Sequence, residues 1–329
     1  MKTNYDFVAI GDTVTDAFIR IKEASLHCNI NKENCEICFR FADKIPYEEV
    51  YMLPAVGNSA NASVAASRLG LKSALVTDLG DDYFGKECLN VLAKENIGNE
   101  FIAIHKDVKT NYHYVLWYED DRTILIKHEK YNYKLSDIGN PKWIYLSSLG
   151  ADSMAYQESV EAYLSMHNDI KLAFQPGTFQ MNAPELLANF CKRAEIFFCN
   201  KEEAQRILKT AESDIKELLK LVKKMGPKTV VITDGKKGAY AYNEDDFWFM
   251  PPYPDPKPPL ERTGAGDAFS STFTVAIALG KSIEEALMWA PINSMSVVQY
   301  IGSQEGLLTA EQLEKYLETA PSDYKPRKL

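Results

Sequence analysis

The sequence predicts an α/β fold with a mainly parallel central sheet, and three observations carry that expectation. Short apolar runs recur along the chain. Amphipathic helical stretches separate consecutive runs, at the spacing of βαβ units rather than hairpins. The length, 329 residues, allows one large α/β domain with a substantial core.

The elements follow in order. Residues 7–10 read as a buried strand. Residues 60–69 are rich in small side chains and stop at Gly70, a suitable helix C-cap. Residues 74–77 form the next apolar run, and 82–96 read as an amphipathic helix. Four further strands are expected at 143–146, 171–174, 196–199 and 229–233, separated by helices at 157–167, 184–192 and 213–224. Two stretches break this rhythm. Residues 18–53 are polar and weakly periodic, whereas 101–133 are rich in β-formers such as Tyr112, Tyr114, Val115, Trp117, Ile124 and Ile126. Glu119-Asp120-Asp121 has the look of a hairpin turn. Together the two stretches are expected to form a small β-lid beside a single domain spanning 1–320. Residues 253–259 hold four prolines and read as a rigid extended connector, and the tail 321–329 is expected to be loosely ordered.

Composition narrows the function. The net charge is -9 with both signs interleaved and no polybasic block, which argues against nucleic-acid or membrane partners. The chain contains no apolar run of transmembrane length, and residues 1–10 do not have the sections of a signal peptide, so a cytoplasmic location is expected. Six cysteines are few for a secreted disulfide scaffold of this size.

The chemistry concentrates in Thr263-Gly264-Ala265-Gly266-Asp267-Ala268-Phe269, at the start of a helical run ending near Gly280. Glycines let a backbone approach a ligand closely, and a helix N-terminus presents unpaired N–H groups to an anion. A carboxylate in the first turn adds a proton acceptor. Phosphoryl transfer to a hydroxyl needs this combination. In isolation, a glycine loop with an aspartate near an N-cap explains the segment equally well.

The order of the motifs resembles that of the ribokinase/PfkB family of carbohydrate kinases. Its C-terminal signature D-T-x-G-A-G-D is matched by Glu261 to Asp267. The resemblance implies a three-layer ribokinase-like sandwich with a β-lid. It makes Asp267 the catalytic base and Gly264, Ala265 and Gly266 the anion hole. Glu261 replaces the signature's first Asp, in a stretch that in many members helps bind a monovalent cation such as K+. The N-terminal signature resembles Val56-Gly57-Asn58-Ser59-Ala60-Asn61, and Gly57, Asn61 and Asp16 fall at positions that hold the acceptor. Asn200 and Glu203 resemble the N-x-x-E motif for Mg2+-bound water and phosphates, although an Asn followed three residues on by Glu is also a capping box. Thr233, Gly235 and Gly238 match a loop against the ATP phosphates, or a hairpin turn. Asn293 falls where the family lines its adenine pocket.

The expected activity is therefore transfer of the γ-phosphate of ATP to a hydroxyl of a sugar, with a nucleoside as the alternative acceptor. Arg122, Lys127, His128 or Lys130 could meet a sugar phosphate, and Tyr112, His113, Tyr114 or Trp117 could stack a nucleobase. A catalytically silent binding protein on the same fold is the reading of another class. A dinucleotide enzyme is disfavoured because Val8-Ala9-Ile10-Gly11-Asp12 lacks the G-x-G-x-x-G turn, and no G-x-S-x-G elbow supports a hydrolase. The lid strands suggest a homodimer that pairs through the lid. Cys28, Cys35 and Cys38 are expected to be reduced thiols, with a structural zinc site as the alternative and a Cys35–Cys38 disulfide less favoured.

Overall fold

In the computed structural model, which describes residues 4–28, 35–119, 121–244 and 246–329, the chain opens on β1 (Phe7–Ile10), all four of whose residues are buried. Next come β2 (Val14–Ile21), β3 (Ser25–His27), β4 (Glu36–Cys38), β5 (Tyr47–Val56) and α1 (Asn58–Arg68). After β6 (Ser73–Gly80) and α2 (Tyr83–Lys94) follow β7 (Ile102–His105), β8 (Tyr112–Tyr118), β9 (Asp121–Leu125) and β10 (Trp143–Leu146). The middle of the chain alternates α3 (Met154–Met166), β11 (Lys171–Phe174), the short α4 (Thr178–Met181), α5 (Pro184–Arg193) and β12 (Ile196–Asn200). It continues through α6 (Lys201–Leu208), α7 (Ile215–Lys223), β13 (Thr229–Thr233), β14 (Ala239–Asn243) and β15 (Asp246–Met250). The chain closes with α8 (Ala265–Ala278), α9 (Ile283–Val297), α10 (Ala310–Glu318) and β16 (Arg327–Lys328).

Ten strands form the main sheet in the order β16-β15-β14-β13-β12-β11-β10-β1-β6-β7. Seven of them, β7 to β13 across that order, pair in parallel, as the βαβ rhythm requires. The remaining three are added antiparallel at one edge. Central strands such as β1, β6 and β10 are buried on both faces, which explains their unbroken apolar runs. One core layer packs Val64, Phe273, Leu287 and Trp289 from α1, α8 and α9 against one face of the sheet. The other packs Val160, Phe190 and Leu218 from α3, α5 and α7 against the opposite face. The architecture is a mixed α/β sandwich with helices on both sides of a mostly parallel sheet.

A separate four-stranded sheet, β5-β2-β8-β9, stands beside this body as the lid. Its boundaries differ from those expected. The lid begins at Val14 rather than near residue 18, whereas β7, expected in the lid, pairs with β6 in the main sheet. Asp120 of the expected turn lies outside the described residues.

Two expectations are corrected. The tail is not loose: β16 pairs with β15, and Tyr324 is 6% exposed with its hydroxyl donating to the Met288 carbonyl at 2.6 Å. The cysteine cluster is neither a set of free thiols nor a metal site. Cys28 and Cys35 form a disulfide, while Cys38 stays free. Register explains why. In the β3–β4 hairpin Ser25 faces Cys38 and His27 faces Glu36, so the next opposed pair outward is Cys28 and Cys35. Side chains alternate between faces, which puts Cys38 on the face opposite to that pair. Among the described residues no group of three or more His, Cys, Asp or Glu is placed to hold a metal.

Candidate active site

Parallel α/β sheets leave their ligand crevice at the carboxyl ends of the strands. Here those ends supply Asp12 after β1, Ser148 after β10, Gln175 after β11, Asn200 at the end of β12 and Thr233 at the end of β13, all lining one cavity of about 440 Å³. The lid adds Asp16, His113, Arg122, Ile124 and Ile126, and α1 and α8 add Asn58, Asn61, Gly266 and Asp267.

Asp267 sits in the first turn of α8, behind the N-cap Gly264. Gly264 has φ 78°, and a Cβ there would lie 2.3 Å from Ser303 Cβ, so only glycine fits. The amides of Gly266 and Asp267 find no acceptor among the described residues, as the first turn of a helix dictates. At Gly266 a Cβ would meet nothing within 4 Å, so the protein's own packing does not demand a glycine there. The space it leaves opens onto both cavities of the site.

Three amides aim at the Asp267 carboxylate. Asn58 Nδ2 and Gln175 Nε2 donate to Oδ1 at 2.8 and 3.1 Å, and Asn61 Nδ2 donates to Oδ2 at 2.8 Å. Two of these donors are themselves locked. The Gln175 oxygen accepts from Tyr145 and, at 3.1 Å, from Ser270 Oγ. The Asn61 oxygen accepts from Ser303 Oγ at 2.9 Å and Gln304 Nε2 at 3.0 Å. Burial pushes the Asp267 carboxyl above the usual carboxylate range, against the opposing pull of Asn61, Gln175, Asn58 and the Arg122 guanidinium.

On the lid side, Asp16 faces His113 at 3.4 Å, and its Oδ1 has no hydrogen-bond partner although buried. Asp12 is fully engaged, accepting from Gly150 N at 2.7 Å and Tyr133 at 3.0 Å and contacting His128 Nδ1 at 3.1 Å. Gly57 lines the same cavity with φ 118°; a Cβ there would press on the Asp12 carbonyl at 2.7 Å.

A second cavity of about 510 Å³ adjoins the first and shares Thr233, Arg262, Gly266 and Phe269 with it. Gly235, Gly238, Ala265, Pro251, Pro252 and the start of the proline connector, Tyr253 to Asp255, line its walls. Gly235 has φ 49° with open space beyond it, whereas a Cβ on Gly238 would strike the Met250 carbonyl at 2.4 Å. On the wall of the first cavity, Asn200 and Glu203 cap α6 reciprocally: Asn200 Oδ1 accepts from Glu203 N, and Glu203 Oε2 accepts from Asn200 N, both at 2.8 Å. Glu203 still lines the first cavity, and burial raises its pKa.

Asn293, expected at the adenine pocket, does not line the second cavity. It is fully buried between α8 and α9, donating to Thr272 Oγ1 at 2.7 Å and accepting from Leu308 N at 2.9 Å. Its neighbours Pro291, Ser294 and Met295 take the wall instead. Sequence reasoning also missed Asn58, Asp12, Gln175 and Arg262. The strand-end rule would have found Gln175, directly after β11, and Asp12, two residues after β1; nothing in the sequence singles out Arg262.

The fold and this arrangement define a phosphotransferase-type α/β site, and the comparisons give the family. Residues 23–310 match the pfkB family carbohydrate kinases, and the chain belongs to that family. It is 28% identical over 270 residues to a ribokinase of Bacillus subtilis (strain 168), covering 79% of this chain and 87% of that protein. It is 30% identical over 245 residues to a cytidine kinase of Thermococcus kodakarensis, covering 70% of this chain and 83% of that protein. Its fold superposes with a TM-score of 0.79 on the Arabidopsis thaliana ribokinase solved with ribose and ATP, at 19% identity, over 96% of this chain and 99% of that one. The protein is a ribokinase-family sugar or nucleoside kinase.

Proposed function

We propose that this kinase moves the γ-phosphate of ATP to a hydroxyl of a sugar, with Asp267 as general base. The observation that carries this reading is the position of Asp267, at the N-terminus of α8 where the two cavities meet. The acceptor lies in the lid-side cavity, with Asp16 accepting hydrogen bonds from its hydroxyls and Gly57 leaving room beside them. Asn61 faces the same space but spends its amide on Asp267, so it holds the base while bordering the acceptor. Asp267 takes the hydroxyl proton as the oxygen attacks in line. The expected anion hole comprises the N–H groups of Gly264, Ala265 and Gly266. The Ala265 N–H is turned to the Arg262 carbonyl at 3.5 Å, so Gly266 N, with Asp267 N beside it, is the donor best placed to meet the charge on the moving phosphoryl group.

ATP fits the second cavity, with its phosphates toward Gly235 and the space left by Gly266. Mg2+ fits the donor set as well: a hard cation that keeps its waters needs few protein ligands beside phosphate, and Glu203 offers a carboxylate on the wall of the first cavity. When bound, Mg2+ neutralises phosphate charge. Glu203 and Asn200 are the residues that would hold its waters.

A specific observation favours a nucleoside as a second reading. Ile124, Ile126 and Phe179 all line the acceptor cavity and are 36%, 61% and 40% exposed, an apolar wall that a bare sugar would leave uncovered. The outer face of the lid points to a second copy of the chain. Met52, Ala17, Tyr114 and Leu125 stand in one row across the sheet, opposite to the Asp16 face, and Met52, Tyr114 and Leu125 are exposed. A monomer in light scattering at working concentration would remove that dimer.

One experiment tests the activity and its acceptor: ATP consumption by the purified protein against panels of sugars, sugar phosphates and nucleosides. Asp16→Ala should raise the acceptor KM roughly tenfold to hundredfold, the cost of a lost hydrogen bond to a charged group. It should leave ATP binding unchanged. Failure of every acceptor to stimulate ATP turnover would leave a silent binding protein.

A further inference from the structure

We propose that the Glu261 carboxylate is the brace that ties together the two loops behind the anion hole, so that this kinase works without a monovalent cation there. The inference rests on the kinase reading of the site but concerns a residue outside both cavities.

Glu261 is fully buried, and each of its oxygens is used by a different loop. Oε2 accepts from Thr263 N at 2.6 Å, one residue before Gly264. Oε1 accepts from Gly302 N at 2.8 Å, one residue before Ser303. Ser303 is the residue against which Gly264 packs, and its hydroxyl fixes the Asn61 amide that donates to Asp267. One side chain thus sets the spacing between the anion-hole loop and the loop that orients the base. Hydrogen bonds from backbone N–H groups to an ionised carboxylate are short and strong, and a carboxylate this buried requires them.

The resemblance of this segment to its family implies a cation such as K+ between these loops. The residues present do not fit one. A cation needs a shell of oxygen lone pairs, yet here two N–H groups converge on the carboxylate and turn their hydrogens toward it. An aspartate would be one methylene shorter and could not reach both N–H groups. The longer glutamate does the bridging itself.

The test uses the full chain exchanged into tetramethylammonium chloride. Thermal unfolding and ATP-dependent turnover are then measured with potassium, sodium or tetramethylammonium at matched ionic strength. The wild-type kcat should agree across the three salts within about twofold, and the unfolding midpoint should not move. Glu261→Asp should lower kcat by about tenfold or more in tetramethylammonium, with little change in acceptor KM, because the transition-state geometry suffers rather than ground-state binding. Potassium should restore part of that loss. Activation of the wild type by potassium, a potassium-dependent rise in its midpoint, or an unimpaired Glu261→Asp would each overturn the proposal. If Glu261→Asp does not fold, Glu261→Gln keeps the length and loses one acceptor, and the same kcat loss is expected. If no acceptor is phosphorylated at all, the kinase reading fails, while the midpoints in the three salts still report whether a cation binds.

Discussion

Asn61 Nδ2 lies 2.8 Å from Asp267 Oδ2, joining residues 206 positions apart in sequence. The bond couples α1, which borders the proposed acceptor space, directly to α8, which carries the proposed base. The proposed base is thus oriented from the acceptor side, and the orientation is locked by Ser303 and Gln304 behind it.

This coupling sets a pH dependence. Burial holds Asp267 above the usual carboxylate range. The base must be ionised to accept a proton, so kcat/KM should fall as pH drops through that raised pKa. Asn61→Ala removes a donor that pulls the pKa down, and should move the acidic limb to still higher pH. Asp267→Asn should cost about 10²–10⁴ in kcat, the usual loss of a general base. A limb unmoved in Asn61→Ala would separate the two residues.

Glu203→Gln separates capping from phosphate chemistry. Glutamine at this position keeps the capping box of α6. Because burial raises the Glu203 pKa, the folded state holds its proton more tightly than the unfolded chain. Stability is therefore lost as pH rises from the unfolded pKa through the folded one. The neutral variant escapes that loss, so its unfolding midpoint near pH 8 should equal or exceed that of the wild type. Its turnover should still fall by about 10² or more if Glu203 positions the magnesium-bound phosphates. A variant with full activity at unchanged Mg2+ requirement would leave Glu203 with capping alone.

The fold was legible because its signals are local. The central strands hold apolar runs, and helices such as α5 and α7 bury one face at helical spacing. The antiparallel edge was missed because β14 and β15 mix polar and aromatic residues around a short turn, a pattern shared with loops. The tail was misjudged because a two-residue strand has no periodicity at all; only its pairing with β15 and the buried Tyr324 order it. Asp267, Gly264 and Gly266 could be expected at a helix start, where they do line the cavity, because a glycine loop at a helix start has a local physical logic. Gln175 had only its place after the β11 run; its orientation toward Asp267 depends on Tyr145 and Ser270, distant residues that meet it only in the folded sheet. Asn293 illustrates the reverse error, since a helical residue one position away from a cavity wall points into the core.

The two loop glycines should respond differently to the same change. Gly264→Ala introduces a Cβ 2.3 Å from Ser303 Cβ at a φ of 78°, so the unfolding midpoint should drop and activity with it. Gly266→Ala meets no protein atom within 4 Å and lies inside α8. In the first turn of a helix alanine is tolerated at least as well as glycine, so the midpoint should hold. Its methyl group occupies the space proposed for phosphate, and the ATP KM should increase. An unchanged ATP KM in a stable Gly266→Ala would move the phosphates elsewhere.

The cysteines give a prediction independent of catalysis. Cys88, Cys191 and Cys199 are buried in the core, and burial pushes the first two thiols up to about 11 and about 12 and the third well above its ordinary value. The thiolate is the reactive form, so these three should react slowly in the folded protein. Cys38 is part-exposed on β4, and Cys28 and Cys35 are closed into a disulfide. Protein purified without reductant should therefore show one rapidly titrating thiol under native conditions, from Cys38. Mild reduction followed by removal of the reductant should raise the count to three, because the hairpin carrying the disulfide is exposed. Cys28→Ser should free Cys35 and show two without reduction. Three fast thiols before any reduction would mean that the hairpin holds its register by backbone pairing alone, as the Leu26–Ile37 pair already allows.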